Sequence, residues 1–151
     1  LEFRRVLFRS PDRFDSAWGM VSYYQASRAC GRWQAQAIED MGRAVVRPGS
    51  AAEGGGWVLS CQRELEASIY LAALTLDLWP SASLVKCPVK LIGADPELKG
   101  NPPTGVANQA LAREHGYAYE FVPQTGHLLQ VERPQECREA MLSFLREQGV
   151  V

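Results

Sequence analysis

The sequence predicts an α/β protein in which a helical region leads into a strand–helix–strand–helix run with two parallel strands. Three observations carry this. Val89, Leu91 and Ile92 form a short apolar run that stops at Gly93, with Asp95 directly behind it, as a buried parallel strand ends. A second run, Tyr117 to Val122, closes at Pro123. Helical periodicity fills the space between the runs and the stretch after them, and two parallel strands need such a crossover.

Taken in order, the chain begins with LEFRRVLFRS, which resembles the translated read-through of a sequencing adapter more than a protein segment. Its apolar part is too short for a signal peptide, and no cleavage context follows. Residues 1–10 are therefore read as an adapter-derived artefact. Residues 14–46 predict two helices that break near Cys30-Gly31. Phe14, Trp18, Val21 and Tyr24 share a face of the first; Trp33, Ala37, Met41 and Val45 form an i, i+4 stripe on the second. Pro48 to Gly56, ending in three glycines, reads as a flexible loop. It is not a phosphate cradle, because no Lys-Ser/Thr follows it.

Trp57 to Cys61 is a short apolar run, and a helix is expected from Gln62 to Leu74 with Leu65, Ile69 and Ala72 packed inward. Residues 77–83, interrupted by Pro80, form a connection. The strands are expected at 88–92 and 118–122. Thr104 to His115 is a helix with Ala107, Ala110 and Leu111 on its inner stripe and Pro102-Pro103 just before it. Pro134 suits the first turn of a last helix that buries Cys137, Ala140, Met141, Phe144 and Leu145.

Composition narrows the function classes. With 46% hydrophobic residues the chain can build a core, and a net charge of −1 gives no electrostatic case for a nucleic-acid or membrane partner. No apolar run approaches the length of a membrane span. Cys30, Cys61, Cys87 and Cys137 are scattered, with neither CxxC pairs nor histidines at metal spacing. They read as reduced thiols, which points to the cytoplasm, and neither a metal nor a cofactor is expected.

The stretch from Cys87 to Gln148 resembles the C-terminal end of the α/β-hydrolase superfamily. The residues that carry the likeness are Leu91-Ile92-Gly93-Ala94-Asp95, then Gly126-His127, then Glu132-x-Pro134 ahead of an amphipathic helix. The resemblance implies a Ser…Asp…His order, with Asp95 as the acid and His127 as the base of a triad. The chemistry accounts for the pair. An imidazole takes the proton of a serine hydroxyl, and the carboxylate fixes the tautomer and stabilises the cation. Asp95 also has a plain reading as a turn residue after a strand, and His127 as a surface-loop histidine. Glu97 is the second choice of acid, because Pro96 alters which carboxylate faces inward. His115, beside Gly116, reads as a helix C-terminal residue.

The same resemblance makes residues 11–79 a helical cap, or lid, and 80–151 the end of the hydrolase core. The segment GWVLSCQRELEASIY at 56–70 is similar to the end of such a cap. Trp18, Tyr23, Tyr24 and Trp33 are then candidates to line an apolar substrate site, with the alternative that they pack a helix pair. A triad also needs Gly-x-Ser-x-Gly on a tight elbow. No serine or cysteine in the chain has glycine at both flanking positions, and no His-Gly oxyanion segment is present. The expectation is a truncated α/β-hydrolase, inactive and loosely packed by itself. Its parent would cleave a small ester or related acyl bond, with a small-molecule substrate as its partner. Epoxide hydrolases, dehalogenases and C–C hydrolases share the frame. The alternative is a non-catalytic ligand-binding member of the same fold.

Overall fold

A computed structural model describes residues 11–73, 75–100 and 103–151. The adapter-like residues 1–10, Leu74 at the end of an expected helix, and Pro102 lie outside them. The chain divides into two compact units, one ending at Leu76 and one running from Asp77 to Val151.

The first unit contains a three-stranded antiparallel sheet as well as helices. Strand β1 (Arg13–Phe14) pairs with β3 (Trp57–Leu59), which pairs in turn with β2 (Val46–Pro48). Phe14 was expected on a helix; its backbone instead pairs with Trp57, and its ring sits where a Cβ on Gly19 would fall, 2.8 Å from the Phe14 Cβ. Helix α1 (Trp18–Ala26) ends at Ser27, whose extended backbone halts it ahead of a 3₁₀ turn at Arg28–Cys30. Helix α2 (Ala35–Ala44) starts after the extended Gln34. Trp33 therefore precedes the helix instead of heading its stripe. What faces α1 is Gly42: a Cβ there would lie 2.7 Å from Val21 Cγ2 and 2.8 Å from Val21 Cα. The helices meet backbone to side chain at that point. Among the described residues of this unit, Met20, Val21, Tyr24, Cys30, Trp33, Val46 and Val58 are the buried apolar ones.

Two further expectations change here. The stretch 48–56 is a braced hairpin rather than a flexible loop. Glu53 makes a bidentate pair with Arg47 at 2.7 and 3.2 Å, and accepts from the Ser50 N–H and hydroxyl at 2.9 and 2.7 Å. The glycines supply the positive φ of the turn, 79°, 69° and 71° at Gly54, Gly55 and Gly56, where other residues are strained. Helix α3 (Arg63–Ala73) carries Glu64 and Glu66 in its first turn, a favourable place for negative charge. No residue of it is buried: Leu65, Ile69 and Ala72 are exposed, not packed. Period-four spacing marks a helix face without saying what covers it.

In the second unit a 3₁₀ turn at Pro80–Leu84 leads to β4 (Lys90–Ala94), which runs parallel to β5 (Ala118–Val122) with Lys90 opposite Ala118 and Ala94 opposite Val122. Strand β4 lies two residues later than expected, so Asp95 follows its last residue directly. Helix α4 (Thr104–His115) covers the expected span and ends on Gly116, left-handed at φ 68°. Its buried face is not the expected one. Gly105 and Ala112 are buried and Leu111 is half-buried, whereas Ala107 and Ala110 are exposed. Gly105 sets the rotation, since a Cβ there would stand 2.6 Å from the Ala94 carbonyl oxygen; only a bare backbone approaches the strand tip so closely.

A short α5 (Leu129–Glu132) and α6 (Pro134–Glu147) close the chain. Pro134 opens α6 as expected and Ala140 is buried, but Met141 is about half exposed. Lys90 ties α6 to the strands, pairing with Glu120 at 2.6 Å and donating to the Ala140 carbonyl at 3.2 Å. Among the described residues no helix is long and apolar enough to cross a membrane.

Candidate active site

The C-terminal tips of β4 and β5 carry the candidate residues, since parallel register brings Ala94 level with Val122. In an open α/β sheet this end lines the ligand crevice. Asp95 leaves β4 with its N–H donating to the Thr125 carbonyl at 3.3 Å. Its carboxylate accepts from the Gln124 N–H at 2.8 Å and from the Glu97 N–H at 2.9 Å. The first bond reaches the loop after β5; the second closes the turn that aspartate favours. These N–H groups, Gln124 foremost, hold the Asp95 carboxyl below its ordinary pKa, against a smaller opposing cost of burial. Glu97 is exposed and supports Asp95 with its backbone.

The loop after β5 is shaped by its own side chains. Among the described residues Gln124 is the non-glycine one with a positive φ, 57°, a conformation costly for a side chain with a Cβ. Thr125 is fully buried and its hydroxyl donates to the Val122 carbonyl at 2.6 Å. The buried Gly126 donates its N–H to Glu132 Oε2 at 2.7 Å. His127 follows, exposed, with Nδ1 at 3.4 Å from the hydroxyl of Thr104, the first residue of α4. Tyr119, on β5, donates to the Gly105 carbonyl at 3.4 Å; burial and then the Asp95 charge raise its pKa.

The loops bearing Asp95 and His127 are thus hydrogen-bonded to each other, while the imidazole faces Thr104. The remaining expected residues lie elsewhere. His115 ends α4 and stacks on Tyr117, ring centroids 5.6 Å apart. Trp18, Tyr23, Tyr24 and Trp33 belong to the first unit. Tyr24 and Trp33 are buried with centroids 5.4 Å apart, and Tyr23 lies 6.4 Å from Tyr24. Trp18 is half exposed beneath the Arg43 guanidinium, 5.6 Å from the ring centroid. Sequence reading assigned no task to Thr104, Gln124, Thr125 or Glu132. Glu132 had a signal, its place in Glu-x-Pro. Gln124 and Thr104 had none, because their partners Asp95 and His127 lie 29 and 23 residues away along the chain.

The structure is similar to the crystal structure of E-2-(acetamidomethylene)succinate hydrolase, with a TM-score of 0.73 and 18% sequence identity, over 97% of this chain and 50% of that one. At this identity the likeness shows the fold, that of an α/β-hydrolase. The chain spans about half the length of that protein. No family model matches the sequence, and no curated protein matches it.

Proposed function

We propose that the chain is part of an α/β-fold hydrolase that cleaves a small ester or related acyl bond through a Ser-His-Asp triad. Asp95 is the acid, His127 the base, and a serine outside these 151 residues the nucleophile. One observation carries the reading: the acid and the histidine sit on loops at neighbouring strand tips, joined through Asp95 to Gln124 and Thr125. The depressed Asp95 pKa keeps the carboxylate charged wherever an imidazole titrates, as its task requires. Catalysis calls for the His127 ring to turn from Thr104 so that Nδ1–H reaches Asp95 and Nε2 the serine. Catalytic hydrogen bonds are commonly looser before substrate binds.

In the same proposal residues 11–79 form the cap. Trp18, Tyr23, Tyr24 and Trp33 are its candidate substrate-binding aromatics, of which Tyr24 packs on Trp33 with centroids 5.4 Å apart. The four free thiols fit a cytoplasmic enzyme.

A second reading, a non-catalytic ligand-binding member of the fold, is favoured by one feature: both Asp95 oxygens accept from backbone N–H groups while His127 faces Thr104. Fluorophosphonate labelling of the full-length protein separates the two. The triad predicts labelling that disappears in His127→Ala. Labelling that is absent altogether favours the binding protein.

A further inference from the structure

Resting on the hydrolase reading, the structure assigns Glu132 the task of positioning residue for His127. Between Val122 and Leu129 the chain turns from the tip of β5 into α5 while leaving His127 at the surface. The two residues before the histidine, Thr125 and Gly126, are buried. A buried N–H must find an acceptor, and for Gly126 that acceptor is Glu132 Oε2, at 2.7 Å.

Glu132 is itself only 8% exposed, unusual for a glutamate. A serine or asparagine nearer in sequence serves a neutral N–H well enough; a buried carboxylate does so with a shorter, charge-assisted bond. The bond closes a ring from Gly126 to Glu132 with His127 inside it. It fixes the Thr125–Gly126 peptide plane, and with it the direction in which the backbone enters His127. At the opposite edge of the same peptide unit the Thr125 carbonyl accepts from the Asp95 N–H at 3.3 Å. One peptide unit is therefore held by the acid's backbone on one side and by Glu132 on the other. Glu132 sets the distance between imidazole and carboxylate through backbone alone.

The test uses the full-length protein with p-nitrophenyl acetate as probe, well below the melting temperature of each variant. E132Q keeps an acceptor oxygen in place and should stay within about threefold of wild-type kcat. E132A should lower kcat by about tenfold or more with KM unchanged, the signature of a misplaced base, and should speed hydrogen exchange at the Gly126 amide. E132D keeps the charge but withdraws the oxygen, and should reproduce the kcat loss even if E132A does not fold. Wild-type kcat in E132D, a loss in E132Q as large as in E132D, or a change confined to KM would overturn the assignment. Should the wild-type protein neither hydrolyse the ester nor take a fluorophosphonate, the hydrolase reading fails, and the His127 imidazole resonances decide. A shift in E132D that is absent in E132Q supports the positioning role, and resonances unmoved in E132D refute it.

Discussion

The two units bury different things. In the first, the buried apolar residues include large ones, Met20, Tyr24 and Trp33, beside Val21 and Cys30, with Val46 and Val58 from the sheet. Among the described residues of the second, the buried apolar ones are Ala94, Ala112, Val122 and Ala140, and Thr125 and Glu132 are buried polar ones. Large side chains interlock and hold helices at a distance, so the first unit is built by packing. Small ones let backbones close in, as α4 does on β4 at Gly105, and leave the loops beyond the strands to hydrogen bonds. The lesson is a division of labour. Apolar volume secures the first unit, while the second places a few polar atoms with accuracy.

That contrast is sharpest at Asp95. On the hydrolase reading, Asp95→Asn in the full-length protein should lower kcat by about 10²- to 10⁴-fold, because the wrong tautomer of His127 is then held. Glu97→Gln, whose backbone alone takes part, should leave kcat near wild type. Equal losses in the two would remove Asp95 from its role and blur the second unit's polar placement. The largest stability effect belongs to the first unit. Trp33→Ala should cost about 3–5 kcal/mol in a denaturant titration, the range for truncating a buried aromatic. A cost under about 1 kcal/mol would mean that this core does not depend on its large side chains.

Gly42→Ala probes a place where the first unit also relies on close backbone approach. With Val21 Cα 2.8 Å from the new methyl group, a loss of about 1–3 kcal/mol is expected. An unchanged melting curve would show that the helix pair relaxes freely. The smallest effect is at the hairpin. Arg47 first, and then the Ser50 N–H and hydroxyl, depress Glu53 from its ordinary 4.5 to about 2. A depressed carboxylate contributes stability that is complete above its unfolded pKa and is lost as pH falls through the folded one. Amide protection in 48–56 should therefore hold above pH 4.5 and fade toward pH 2. Glu53→Gln should flatten that dependence, and a profile identical to wild type would exclude the pair as its source.

Much of the second unit was legible in advance. Strand β5 at 118–122, the span of α4 and the place of Asp95 at a strand end all follow from local pattern, because apolar runs, Gly116 and Pro123 act on their immediate neighbours. The first unit was less so. Strand β1 is two residues long and finds its partner at Trp57 and Val58, far along the chain, so no local alternation announces it. The site divides in the same way. Asp95 and His127 stood out by residue type and spacing, whereas Thr104 meets His127 across 23 residues of chain that only the fold brings together.

The amino-acid order by itself determined where backbone changes direction and which residues carry titratable groups, since both depend on covalent identity and a few neighbours. Tertiary structure alone decided which helix faces are covered, that 48–56 is braced by Arg47 and Glu53, and that a buried glutamate holds the peptide before His127. Those outcomes depend on which groups the folded chain encloses and turns toward one another, even six residues apart, where the requirement to pair enclosed polar atoms selects among arrangements that periodicity leaves equal.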